Sequence, residues 1–320
     1  MKGFGFSPLP KVIGIPDMTK MKGLLRNRDF IMTVALATGL IWGGAAPLTE
    51  RATFPLLMII MTLATMGISG STFRSPKALV APALAGIAMN YFVLGGFLLA
   101  LNALLIRDEA LQSGFVLLAA VPPAVAVIPF TLFLHGDSTF SLIGTLGGYL
   151  GALVIMPVMT IVFLGSGFID PGRLMMIMVE LILLPLILSR VLVRFKMAPR
   201  IEPFKGTLTN WSFFVLTYTI VGLNREVFLT KPSSLIPPAL IAIASTFVLG
   251  WIIEGVGKAF RLPQKTLVGL VLLGTLKNYG LAGGLALALF SRKTALPATV
   301  SAVFMITYIV FLQFKKRSSL

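Results

Sequence analysis

The chain has 320 residues, 57% of them hydrophobic and 12% charged, with a formal net charge of +16. Soluble domains carry about 25% charged residues, so this much apolar sequence excludes an ordinary globular domain and predicts a polytopic membrane protein. The positive excess reads as loop charge that sets orientation in a bilayer, not as a nucleic-acid surface. With no cysteine, disulfides and thiolate metal sites are excluded.

Residues 1–29 are polar and basic and hold no compact apolar region with a small-residue cleavage site, so they read as an N-terminal segment rather than a signal peptide. Ten apolar spans follow, near 30–47, 53–70, 78–105, 111–134, 138–165, 172–195, 208–223, 235–257, 264–290 and 296–314. They carry glycine and proline without strict alternation, as membrane helices do and barrel strands do not. Roughly 20 residues cross a hydrocarbon core about 30 Å thick. The expected fold is all-α, with a first five-helix repeat over 30–165, a second over 172–314 and a short tail at 315–320. Loop charge supports the alternation. One side collects 19 of the 27 Lys and Arg, the other seven, and Lys277 lies inside a span. The bias predicts both termini in the cytoplasm and a multi-pass protein of the plasma or inner membrane.

An internal repeat underlies the two halves. Pro82-Ala-Leu-Ala-Gly-Ile-Ala88 resembles Pro238-Ala-Leu-Ile-Ala-Ile-Ala244. An offset of 155 relates Phe92-Val-Leu-Gly95 to Phe247-Val-Leu-Gly250, Gly114-Phe-Val-Leu-Leu118 to Gly269-Leu-Val-Leu-Leu273, and Gly67 to Gly222. Five spans per half is odd, so the second half is expected to be inverted, the pattern of secondary transporters with broken helices. At this offset Pro122 falls on Lys277.

Those two positions carry the candidate chemistry. In span four, Pro122, Pro123 and Pro129 each remove a backbone donor and are expected to break the helix. Such backbone is tolerated at membrane depth only within protein or against a water-filled cavity. The resumed half-helix near Ala124, Val125, Ala126 and Val127 offers N–H donors and a positive dipole end to a carboxylate. In span nine, Lys277 lies too deep to reach the interface easily, and a lysine at a helix centre costs about 2.5–3.5 kcal/mol. It reads as a positive charge at the site or, alternatively, as one half of a salt bridge with Glu180 of span six. Asn278 suits a carboxylate or broken backbone, and Gly280 marks the helix break. Asn90, Ser245 and Thr246 sit in the middles of spans three and eight. Glu254 and Lys258 are spaced as an i,i+4 pair. His135 reads as a loop residue. No nucleophile–base set, phosphate loop or metal-ligand spacing appears, so neither an enzyme nor a cofactor is expected.

At Pro122–Asp137 and Leu273–Gly280 the sequence resembles the bile acid:sodium symporter family. That resemblance implies crossed broken helices four and nine in a core of helices 3–5 and 8–10. The core moves against a panel of helices 1, 2, 6 and 7, and substrates are bile-acid-like, pantoate-like or small oxo-acid anions. The family's sodium ligands fall here on Leu273, Lys277, Val127 and Ile128, while Ser141 and Thr145 keep oxygen and Asn278 keeps the substrate-facing asparagine. The expectation is a sodium-independent carrier of a small organic anion in which Lys277 replaces the cation, permanently or by binding a proton. The alternatives are a cation/proton antiporter and a non-transporting membrane receptor.

Overall fold

The structure is a computed structural model that describes residues 28–66, 76–124, 126–165, 172, 176, 179–230 and 232–317. Among them the chain is helical and has no strand; its extended backbone is a single bridge between Pro123 and Lys277. In chain order the helices are α1 (Arg28–Ile41), α2 (Thr53–Met66), and α3, stacked from Pro76–Ile87, Ala88–Gly95 and Gly96–Leu105. Then come α4 (Glu109–Ala120), α5 (Val127–Phe133), α6 (Ser138–Leu164), α7 (Val179–Leu183 with Leu184–Arg194) and α8 (Ala198–Leu223). The last four are α9 (Ile236–Ile243, Ala244–Val248 and Leu249–Ala259), α10 (Gln264–Leu273), α11 (Tyr279–Leu289) and α12 (Leu296–Arg317). Three helical stretches, Leu79–Leu105, Ser138–Leu164 and Pro232–Ala259, are long and apolar enough to cross a membrane. With the composition, they make this an α-helical membrane protein.

The stretches expected as spans four and nine are each divided, as α4/α5 and α10/α11. Two features depart from the sequence reading. The helix expected at 208–223 begins ten residues earlier, at Ala198. Its polar first turns hold Pro199 and Pro203 and a Glu202–Lys205 pair at 3.6 Å, which let a membrane helix continue past its apolar length. Both α3 and α9 also change to π-helix in mid-course, at Ala88–Gly95 and Ala244–Val248, a widening that apolar periodicity does not reveal.

Packing sorts the helices into two groups. α1 packs on α8, α2 on α7 and α8; α3 packs on α6, α9 on α12, and α4 on α6, α11 and α12. α3 and α6 touch backbone to backbone. A Cβ on Gly86 would run into the Gly144 backbone, so glycine is required there. The core sits on the divided spans: every residue from Gly114 to Ala124 and from Val271 to Tyr279 is buried. These two stretches are enclosed by protein on all sides, as a helix that is apolar all round must be.

The charged turns gather at the two ends. At one, Glu50 meets Arg292 at 3.7 Å and Asp108 meets Lys293 at 2.5 Å. Asp108 also caps α4 by accepting from the Leu111 N–H at 3.2 Å. Burial opposes its ionisation, but the Lys293 ammonium and the N–H groups of Leu111 and Ala110 outweigh that and hold the carboxyl below its ordinary value. At the other end the Asp137 N–H donates to the Lys265 carbonyl at 2.9 Å. There Glu254 pairs with Lys258 at 2.6 Å, as its spacing predicts, and also with Lys315 at 2.5 Å, which the spacing does not.

Candidate functional site

The two interruptions cross. Pro122 and Pro123 cannot donate, so α4 ends at Ala120 and its last carbonyls lose their i+4 partners. The break in span nine has no proline and runs from Gly274 to Asn278. The two extended pieces lie antiparallel: the Asn278 N–H donates to the Pro122 carbonyl at 3.0 Å and the Ala124 N–H to the Leu276 carbonyl at 3.1 Å. A shift of 154 exchanges these two bonds, so Lys277 pairs with Pro123, one residue from the Pro122 expected at an offset of 155.

Lys277 is 1% exposed. Its Nζ donates to the Ala119 carbonyl at 2.7 Å and the Val121 carbonyl at 3.0 Å, and lies 4.7 Å from the centre of the Tyr91 ring. The ammonium therefore sits at the negative end of α4, on the Ala119 and Val121 carbonyls where the helix stops, with an aromatic face beneath it. Asn90 donates to the same Val121 carbonyl at 3.1 Å, and Tyr91 donates to the Gly148 carbonyl at 2.7 Å. Both residues belong to the π-helical stretch of α3. A Cβ on Gly148 would strike the Pro123 ring, so this glycine admits the break.

Glu180 is not among these partners: no ion pair joins it to Lys277 among the described residues. It lies in the first segment of α7, which packs against α2. The salt bridge weighed from sequence is replaced by carbonyl oxygens, which no side-chain pattern announces.

Asn278 caps α11. Its Oδ1 accepts from the Leu281 N–H at 3.1 Å, and its Nδ2 donates to the Tyr149 hydroxyl at 3.0 Å and approaches Met61 Sδ at 3.6 Å. Tyr149 also donates to Met61 Sδ at 3.6 Å, so the cap is held from α6 and α2 together. A narrow cleft of ≈ 50 Å³ opens beside it, between α1 and α8 on one side and the crossing and α12 on the other. Ala124, Ala126, Lys277, Asn278 and Gly280 line its crossing side, and Phe213 and Thr217 line the opposite wall. Among the described residues no carboxylate lines it.

Several expected site residues stand elsewhere. Val127 is fully buried in the core and does not line the cleft. Val125 lies outside the described residues. Pro129 does not break a helix: it falls in the first turn of α5, where a missing N–H costs no intrahelical bond. Gly280 is the second residue of α11 rather than the break, and a Cβ there would press on Phe213 at 3.3 Å. Lys277 borders the cleft, but its ammonium is committed to α4. Ser141 accepts from Thr131 at 2.8 Å, while the Thr145 hydroxyl is buried without a partner. Tyr91, Met61 and Phe213 were missed from sequence. Tyr91 had one usable signal, its place beside Asn90 at mid-span.

No protein-family model matches the chain, and a search of curated proteins finds no significant relative.

Proposed function

We propose that this protein is a sodium-independent secondary transporter of a small organic anion, built as ten spans in two inverted repeats on the plan of the bile acid:sodium symporters. The observation that carries the reading is the Lys277 ammonium on the Ala119 and Val121 carbonyls. A cation at a broken helix is what sodium supplies in such a carrier; here a side chain supplies it, which leaves no task for the ion. The substrate carboxylate is taken at Asn278 and the N-terminal turn of α11, where the helix dipole favours an anion. Phe213 and the aliphatic wall take its apolar part.

The contact pattern supports the inverted repeat. Shifting spans by five turns the α1–α8 contact into α7–α2, α3–α6 into α9–α12, and α4–α12 into α10–α6, and all of these contacts are made. The π-helical stretches of α3 and α9 fall at equivalent places. The cleft, between the expected panel helices α1 and α8 and the expected core, is where alternating access needs a substrate. Ion exchange by a Lys277–Glu180 couple has no comparable support, because the two are not paired. Proton uptake at Lys277 is an extension of the proposal, since loss of its proton would remove one donor and the charge from α4.

The test is uptake of small monocarboxylates into proteoliposomes holding the full chain. Equal rates in sodium and in choline buffers are expected. A sodium requirement overturns the proposal, and binding without counterflow returns the protein to the receptor reading.

A further inference from the structure

A second cavity of ≈ 570 Å³ lies away from the cleft, inside the other helix group. Its walls come from the α5–α6 turn, the end of α9, the start of α10 and the end of α12. None of its lining residues belongs to the crossing. One side is aliphatic, made by Leu267, Val268, Val271 and Leu272 of α10 with Leu312 of α12. The other side is polar, with Lys265, Lys315, His135 and Glu254.

The balance of charge at the mouth is positive. Glu254 is already matched by two lysines, Lys258 and Lys315. The Asp137 carboxylate nearby is engaged in capping α6 through the Phe140 N–H at 2.9 Å. Lys265 belongs to no ion pair among the described residues. It stands in the first turn of α10, a ten-residue helix with no side-chain cap and no acidic residue there. Helix N-termini favour anions and disfavour cations, so lysine at this position adds to the positive dipole end instead of neutralising it. An aliphatic wall topped by an uncapped helix start and two lysines is complementary to an anionic head on an apolar tail.

We infer that this cavity binds the carboxylate of a single-chain amphiphile, a fatty acid, with its head between Lys265 and Lys315 and its chain along α10. The volume selects one chain: it falls within the about 300–1,000 Å³ typical of single small-molecule sites. Binding has a consequence for the fold. Lys315 clasps α12 to α9 through Glu254, and an incoming carboxylate competes for that lysine.

The experiment uses the full chain in nanodiscs of zwitterionic lipid and a photoreactive, diazirine-bearing dodecanoate, with labelled peptides mapped. Labelling within 264–272 and 312–315 is expected, competed by dodecanoate and not by dodecanol or by phosphatidylglycerol in the disc. Lys265→Gln and Lys315→Gln should each raise the concentration for half-labelling by about tenfold, the worth of one charge-assisted hydrogen bond. Lys265 is exposed, so its variant keeps the fold, which size exclusion and thermal melting verify. Equal competition by the alcohol, labelling unchanged in both lysine variants, or labelling spread along the lipid-facing helices overturns the inference. Competition by phosphatidylglycerol alone assigns the cavity to a phospholipid headgroup and overturns it as well.

Discussion

At the scale of residues, the site is a lysine paired with backbone. An unpaired buried charge costs several kcal/mol, and freed carbonyls in an apolar interior cost more than they do in water. Lys277 and the end of α4 resolve both problems at once. Lys277→Met keeps the stem and removes the donor, leaving the Ala119 carbonyl short of a partner at about 1–3 kcal/mol, while Asn90 still donates to Val121. The expected result is a lower melting temperature in nanodiscs together with lost uptake. Lys277→Gln retains a donor for one carbonyl and should lose less stability but as much uptake. Full uptake by Lys277→Met would show that the charge has no part in transport. The lysine was legible in the sequence because a charge in an apolar run has few explanations. Its partners were not, because Ala119 and Val121 act through carbonyls that every residue has. Glu180 looked like the partner only because side chains are what a sequence displays.

At the scale of elements, the division of span four was legible from Pro122 and Pro123, since adjacent prolines remove donors that a helix requires. Pro129 carries the same chemistry without the same effect, because three residues into α5 its absent N–H is one that no carbonyl awaits. The division of span nine has no proline to mark it; the sequence offers only Lys277-Asn278 and Gly280, and the expected offset of 155 misses the observed Pro123–Lys277 pairing by one residue. α4 owes its other end to Asp108. Its carboxyl lies below its ordinary value, so the stabilisation is fully present above an unfolded pKa of about 4. It is lost as pH falls through the folded value. Asp108→Asn keeps a cap acceptor and loses the Lys293 ion pair, an exposed pair worth under about 1 kcal/mol. The variant should melt slightly below wild type at neutral pH and coincide with it once Asp108 is protonated. A difference that persists in acid would assign the effect to packing rather than charge.

At the scale of the whole molecule, helical class and membrane character follow from composition and the apolar runs, while the grouping of α1, α2, α7 and α8 is reached from sequence only through the family resemblance, because no local pattern encodes its contacts. If the cleft between this group and the rest is the transport route, relative movement must open it, since ≈ 50 Å³ holds water and not an organic acid. The chain has no cysteine, so thiols can be introduced without background. Thr217→Cys with Ala302→Cys places one thiol on α8 and one on α12, both at the cleft. Cross-linking by a cleavable thiol reagent should stop uptake, and cleaving the linker should restore it. Uptake that continues in the cross-linked protein would exclude movement across this cleft.

The pairing of Lys277 with α4 also constrains how the chain is made. The lysine follows its two carbonyl partners by 158 and 156 residues. At roughly 5–20 residues per second, the ribosome takes on the order of 8–30 s to supply it. During that interval the end of α4 has no cation, and the apolar stretch around Lys277, when it emerges, carries a charge that lipid rejects. Its insertion therefore depends on an α4 already in place to receive it, so biogenesis of this membrane protein is ordered from its first broken helix to its second.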